Sequence, residues 1–359
     1  VPSQPASPSS DSASERLPAL TDLDVAGYEQ LTAVPGARSF TPGQVRRWVL
    51  GRGVRNWEAM TDLSRSLREE LARRWVVRHG TLASRHESQD GTVGLLTRLF
   101  DGQLIESVSI PEGQRHTLCI SSQVGCAVAC RFCASGLDGV IRNLSVGEIV
   151  EQVLVAREER PDLPLTNYVF MGSGEPTHNM AAVLAAIRVM NDPDGLGIGA
   201  RRITVSTVGH PAALARLAAE PIPFNIALSL HAPEDAWREE LMPGLGRSQL
   251  AETLKAARER FDHHGRRLTI EVVLMAGIND TPETARGFAR LLANFPAIVN
   301  LIPFNRVDGL DLAPPPAKNV DAMVDILQAA GITTTVRRPR GQDVGVACGQ
   351  LARRAGQGT

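Results

Sequence analysis

Three cysteines fall inside the stretch CAVACRFC, as Cys126, Cys130 and Cys133, in a chain with only two others, Cys119 and Cys348. Thiolates spaced C-x3-C-x2-C bind metal. A structural zinc site wants four ligands, usually as two separated pairs. No second pair follows, and neither His116 nor His178 has finger-like spacing. A four-iron cluster suits the count better, because three thiolates fill three irons and leave one open. An open iron can take the amino and carboxylate groups of S-adenosylmethionine. Its sulfonium then sits where the cluster can reduce it, yielding a 5′-deoxyadenosyl radical.

Such a site needs a scaffold. The chain has 359 residues, 43% of them hydrophobic and 21% charged, which suits a large core with a smaller domain beside it. The formal charge of −1 gives no overall sign of nucleic-acid binding. Local basic pairs such as Arg46-Arg47, Arg201-Arg202 and Arg353-Arg354 usually mean solvated surface. No apolar run is long enough for a membrane span and no signal peptide is legible, so no membrane partner is expected. Five cysteines, clustered and odd in number, point to a reducing, cytoplasmic setting.

Residues 1–15 are rich in Ser and Pro and read as a disordered tail. Residues 16–104 read as a small α+β accessory domain. Within it TPGQVRRWVL starts a helix with Thr41 as N-cap and Pro42 at the first helical position. A second helix follows in SLREELARRWVV, then a β-hairpin turned at Asp101-Gly102. Residues 105–351 alternate strand and helix. SVGEIVEQVLVAREE carries an amphipathic stripe behind a Ser145/Glu148 capping box. The strands NYVFMG, RRITVST, FNIALSL, LTIEVVLM, IVNLIPF and TTTVRR are separated by helices, which predicts parallel βα units. Short strands with long helices between them suit a partial (β/α)6 barrel; a doubly wound sheet would favour a phosphate-binding Gly fingerprint after its first strand. Residues 352–359 form a C-terminal tail.

C-x3-C-x-F-C, with Phe132 inside it, resembles the signature of the radical S-adenosylmethionine superfamily. SSQVGCAVACRFCASG, RNLSVGEIVEQV, MGSGEPTHN, RRITVSTVG, LSLHAP, NLIPFN and ACGQL resemble, in order, the RlmN/Cfr family of RNA adenine methyltransferases. The resemblance runs from about Thr41 to Leu351. It implies a [4Fe-4S] cluster on Cys126, Cys130 and Cys133. It also implies S-adenosylmethionine contacts at Gly174, Glu175, Ser206, Ser229, Leu230, His231 and Asn305, several of which fall at strand C-terminal ends, where barrels keep their sites.

Adenine C2 and C8 are electron-poor carbons and cannot attack a sulfonium methyl. The resemblance implies a route round this. One cofactor molecule methylates Cys348, a second generates the radical that takes a hydrogen from the S-methyl group, and the carbon radical adds to the base. Cys119 then resolves the adduct by a disulfide with Cys348, and Glu106 serves as proton acceptor. Read singly, Cys348 in VGVACGQL and Cys119 in TLCIS could be buried apolar residues. Two positions depart from the family pattern: Ser173 stands where Gly-Met-Gly-Glu-Pro has methionine, and DGTVGLL lacks the lysine common after Asp-Gly-Thr.

The expected activity is methylation of adenosine C2 in 23S rRNA and in tRNA by a monomer, with flavodoxin or ferredoxin as electron donor. Methylation at C8, another substrate (RNA, peptide or small molecule), and a non-enzymatic metal-stabilised RNA-binding protein are the alternatives. Aromatic residues make up 4% of the chain, so base-stacking platforms are not evident, and RNA contact would rest on the basic pairs and the N-terminal domain.

Overall fold

The computed structural model describes residues 17–337, 340–345 and 350–357. The tail expected over residues 1–15 and Cys348 lie outside the described residues.

Near the N-terminus, α1 (Thr41–Arg46) runs on as a π-type turn, Arg47–Gly51. Thr41 is not its N-cap. Phe40 holds that position, and the Thr41 hydroxyl turns back to accept the Arg38 N–H at 2.9 Å. Proline directly after a threonine does not fix which of them lies outside the helix. The second helix, α2 (Arg65–Ala72), is capped by Ser64, which accepts the Leu67 N–H at 3.3 Å.

Four strands come next: β1 (Thr81–Glu87), β2 (Val93–Arg98), β3 (Leu104–Glu112) and β4 (Arg115–Cys119). They pair antiparallel, β2 and β3 about the Asp101-Gly102 turn that the sequence predicts. A small separate hairpin, β5 (Gln123–Gly125) with β6 (Val140–Asn143), brackets the cysteine loop.

The repeating part begins at α3 (Val146–Glu159), where the capping box forms as expected: the Ser145 hydroxyl accepts the Glu148 N–H at 3.2 Å, and the Glu148 carboxylate accepts the Ser145 N–H at 2.9 Å. Strand β7 (Asn167–Phe170) and α4 (Met180–Asn191) follow, then β8 (Ile203–Thr207), α5 (Pro211–Ala218) and β9 (Asn225–Ser229). After a short α6 (Asp235–Leu241), the alternation continues through α7 (Leu250–His264), β10 (Leu268–Leu274), α8 (Pro282–Leu291), β11 (Ala297–Pro303), α9 (Ala317–Ala329) and β12 (Thr333–Val336). The last helix is α10 (Gln350–Gln357).

All strands but β5 and β6 join one ten-stranded sheet in the order β1-β2-β3-β4-β7-β8-β9-β10-β11-β12. From β4 onward every pairing is parallel, with helices in the crossovers, so a partial βα barrel forms. The boundary expected near residue 104 falls at the start of β3, within the continuous sheet. One apolar core runs from Leu20 and Tyr28 through Val153 and Ile203 to Leu327. Buried Glu151 on α3 ties the early chain to the barrel, accepting hydrogen bonds from the Thr21 hydroxyl and the His79 and Gly80 N–H groups. Among the described residues no helix is long and apolar enough to cross a membrane.

Candidate active site

At the C-terminal ends of the parallel strands the barrel encloses a cavity of about 270 Å³. Cys126, Cys130 and Cys133 line one side of it, where the loop after β5 passes over the strand ends. That loop is fixed by its backbone. Cys126 N–H donates to Gly139 O at 2.9 Å, Arg131 N–H to Leu241 O at 2.9 Å, and Gly244 N–H to Val128 O at 2.8 Å. Ala129 sits at φ 52, in the left-handed region.

Hydrogen-bond donors are aimed at the sulfurs. Cys126 receives the N–H groups of Val128, Ala129 and Gly174, and Cys133 receives the N–H groups of Ser135 and Gly136 together with the Ser135 hydroxyl. Burial pushes all three thiols up, Cys130 furthest, with Cys133, Cys126 and Glu175 adding their repulsion there. Three sulfurs that resist ionisation together, yet are met by donors that favour sulfide charge, fit a bound polycation that offsets that charge. Among the described residues no three His, Cys, Asp or Glu side chains gather tightly enough for one ion. The three thiols line the cavity together, on the loop that would hold a cluster.

Gly174 is at φ 104, and a Cβ there would lie 2.7 Å from the Gln123 N atom and from Ser122 Oγ. Only glycine permits this close approach. Glu175 is buried and faces the cavity. Its Oε1 accepts the Thr177 N–H at 3.0 Å and the Thr177 hydroxyl at 2.6 Å, and its Oε2 accepts the Val208 N–H at 3.0 Å. Ser206 and Ser229 stand side by side on β8 and β9, their hydroxyl oxygens 3.3 Å apart, and both line the cavity, as does Asn305 beyond β11. Ser206 does not cap the following helix, whose N-cap is His210.

Leu230 does not line the cavity. Its side chain is buried in the main core, and its main chain joins the Glu271 carbonyl, 3.1 Å from the Leu230 N atom. His231 returns to the cavity at φ 61. Its Nδ1 accepts the Val273 N–H at 3.1 Å, and the Phe132 ring meets its ring edge-on with centroids 4.6 Å apart. Burial, with the nearby Arg238 charge, pushes its pKa down to about 3, so the ring is neutral.

Cys119, the last residue of β4, is buried and lines the same cavity as the three loop thiols. Glu106 does not line it. It lies on β3, buried, and its Oε2 accepts the Leu351 N–H at 3.1 Å. Two residues absent from the sequence reading belong to the neighbourhood. Glu271, buried on β10, faces the cavity with its Oε2 accepting from Asn300 Nδ2 at 2.8 Å. A lone acid in the apolar run LTIEVVLM is the signal that could have flagged it. Arg238 is fully buried and donates to the carbonyls of Val208 (2.6 Å), Ser229 (3.2 Å) and Leu230 (3.1 Å) and to Ser248 Oγ (2.9 Å).

A partial βα barrel with a three-thiol loop across its strand ends is the architecture of the radical SAM superfamily, whose family model matches residues 120–290. A [4Fe-4S] cluster and S-adenosylmethionine are the cofactors of that superfamily. The model of the ribosomal RNA large subunit methyltransferase N-terminal domain matches residues 19–77. The chain is 43% identical to the dual-specificity RNA methyltransferase RlmN of Anaeromyxobacter dehalogenans over 95% of this chain and 93% of that protein. It is 44% identical to the probable RlmN of Rhodopirellula baltica, over 90% and 87% of the two chains. A crystal structure of a radical SAM methyltransferase from Sphaerobacter thermophilus superposes with a TM-score of 0.89 at 40% identity, covering 93% of this chain and 98% of that one. The chain belongs to the RlmN family of radical SAM methyltransferases.

Proposed function

We propose that this chain is an RNA methyltransferase that places a methyl group on C2 of adenosine in 23S rRNA and in tRNA, using Cys348 as methyl carrier. The observation that carries this reading is the position of Cys119. A fourth thiol opens into the cavity that the three loop thiols line, where binding of a cofactor alone would not need it. The names of the relatives, dual-specificity RNA methyltransferases, support RNA as the substrate class.

In this reading Cys126, Cys130 and Cys133 hold the cluster, and Glu175, Ser206, Ser229, His231 and Asn305 surround the cofactor, with Gly174 and Leu230 contributing main chain. Cluster and cofactor together supply a 5′-deoxyadenosyl radical. The neutral His231 ring orients without adding charge. Cys348 carries the methyl group as a thioether, Glu106 accepts the proton lost from the base, and Cys119 forms the disulfide with Cys348 that releases the product. The accessory domain, residues 16–104, contacts the RNA. The setting is cytoplasmic, the chain acts as a monomer, and a flavodoxin or ferredoxin delivers electrons.

Peptide mass spectrometry of the cluster-bearing chain tests the carrier. One added methyl on Cys348, absent from Cys348→Ala, is the expected result; an unmodified Cys348 after incubation with S-adenosylmethionine rejects the mechanism. Nucleoside mass spectrometry of treated 23S rRNA and tRNA then separates 2-methyladenosine from the 8-methyl isomer.

A further inference from the structure

Glu271 is a lone acid in the apolar strand β10, 5% exposed, and it lines the cavity. β10 pairs in register with both neighbours, so Glu271 stands level with Ser229 on β9 and with Asn300 on β11. Thr335 on β12 stands level with Asn300 in turn. A single polar rung therefore crosses the parallel strands from Ser229 to Thr335, its neighbours about 4.8 Å apart.

The outer half of the rung is closed. Thr335 Oγ1 donates to Asn300 Oδ1 at 3.1 Å, with the Val299 carbonyl as a second acceptor at 3.4 Å, and Asn300 Nδ2 donates to Glu271 Oε2 at 2.8 Å. A carboxylate only accepts, so the Asn300 nitrogen must face it and the amide oxygen must face Thr335. The carboxylate is thereby held in one orientation. Its other oxygen, Oε1, has no hydrogen-bond partner among the described residues. A buried carboxylate oxygen left without a donor is costly, and a ligand donor would remove that cost.

The chemistry of the neighbours narrows the donor. Ser229 Oγ lies 3.3 Å from Ser206 Oγ, and both serines line the cavity. Serine hydroxyls give and take hydrogen bonds, whereas Glu271 only takes. An amino group only donates and would leave the outward serine proton without an acceptor. A ribose diol offers two protons and two acceptor oxygens, which matches a carboxylate beside a serine.

We propose that Glu271 is a binding residue for a ribose hydroxyl: Oε1 accepts the hydroxyl proton beside Ser229, and the Asn300–Thr335 pair aims the carboxylate at it. Two ribose rings have this chemistry, that of S-adenosylmethionine and that of the target nucleotide in RNA. The proposal rests on this cavity holding the cofactor or that nucleotide.

The test is equilibrium dialysis of the reconstituted full chain with S-adenosylhomocysteine and its 2′-deoxy and 3′-deoxy analogues. This ligand carries the same ribose and has no methyl group to lose to Cys348. A second arm measures fluorescence anisotropy of a 23S rRNA fragment with ribose or 2′-deoxyribose at the methylated adenosine. Wild type is compared with Glu271→Gln and Glu271→Met, and iron content and urea midpoint are recorded for each.

In the arm that holds the hydroxyl, wild type should bind one deoxy form about tenfold more weakly than the ribose form, the loss of a hydrogen bond to a charged group. Glu271→Met should bind the ribose form about tenfold more weakly and no longer tell the two forms apart. Glu271→Gln keeps the shape without the charge and should fall between. A response in the dialysis arm places the hydroxyl on the cofactor; a response in the RNA arm places it on the target nucleotide. Variants that discriminate as wild type does in both arms overturn the proposal, as does a wild type indifferent to every deoxy form. Iron-bearing wild type that binds no S-adenosylhomocysteine defeats the cofactor reading itself, and the RNA arm then decides the role of Glu271.

Discussion

Leu351, in the first turn of α10, donates its N–H to the Glu106 carboxylate on β3 at 3.1 Å, joining residues 245 apart in the chain. The carboxylate sits where the open N–H groups of a helix start favour negative charge. On the other side of residues 346–349, Asp90 Oδ2 accepts the Gly341 N–H at 3.0 Å, and Asp343 accepts the Gln89 N–H at 3.0 Å and the Ser88 hydroxyl. The chain is therefore pinned on both flanks of the segment that contains Cys348, by the β1–β2 turn and by β3.

Glu106 holds the start of α10 and, in the proposed function, would also accept a proton, and the two roles are separable. Glu106→Gln keeps an oxygen that can accept the Leu351 N–H but takes no proton; Glu106→Ala loses both. Hydrogen exchange at Leu351 should stay slow in the glutamine variant and rise in the alanine variant by roughly tenfold or more, the loss of about 1–3 kcal/mol of a buried charged hydrogen bond. Both should lose RNA methylation. Fast exchange in the glutamine variant would mean the helix needs the charge itself.

Gly174→Ala should destabilise the fold and empty the site. The residue lies at φ 104 with Gln123 and Ser122 against its open side. Strain of that kind costs on the order of 1–3 kcal/mol before the steric clash is added. Chemical denaturation reads the loss, and iron content after reconstitution reads the site. A variant as stable as wild type with full iron would remove close approach as the reason for glycine.

Arg238→Met should loosen the strand ends that carry Ser206, Ser229 and His231. Methionine fills much of the volume but leaves the Val208, Ser229 and Leu230 carbonyls without their donor. Each such loss costs about 1–3 kcal/mol in a buried setting. Stability should drop, and S-adenosylmethionine affinity, measured by equilibrium dialysis, should weaken. Unchanged affinity with lowered stability would make Arg238 a fold residue alone.

His231 gives a pH dependence of definite sign. Its folded pKa is pushed down to about 3 from the ordinary value of 6.5, first by burial and then by Arg238. Between those values the unfolded chain takes a proton that the folded ring refuses, so stability is complete above about pH 6.5 and falls as pH drops. From this residue stability should fall by about 1 kcal/mol between pH 6.5 and 5.5, with the slope steepening toward about 1.4 kcal/mol per pH unit below that. Asparagine tolerates positive φ and can accept the Val273 N–H, so His231→Asn should lose that slope in urea titrations at pH 6.5 and 5.5. Equal slopes in the two proteins would show that the ring protonates while folded.

The legible parts of this chain were those whose signals are local. The α3 capping box, the Asp101-Gly102 hairpin and the parallel strands all form from patterns a few residues long. β1 was not read as a strand, because TLASRHE lies half exposed along its length and has no apolar face to alternate. The site was legible where a motif kept its residues adjacent, as in CAVACRFC and GSGEP. It was illegible where two distant polar residues complete each other: Glu106 with Leu351, Glu271 with Asn300, Ser173 with Ser135. Such pairs arise from strand register and loop closure, which no short window contains.

Strand order in the large sheet follows the order of synthesis without exception, β1 to β4 and then β7 to β12. Each strand leaving a ribosome finds its partner already in place, and no gap in the sheet waits for a later segment. The contacts that reach back furthest among the described residues are those of the chain end, Asp343 to Ser88, 255 residues apart, and Leu351 to Glu106. Closing a loop of this length carries the largest loop entropy of the contacts named here. A chain cut short before residue 340 can therefore build its sheet while lacking both clasps and, in the proposed reading, the cysteine that would carry the methyl group.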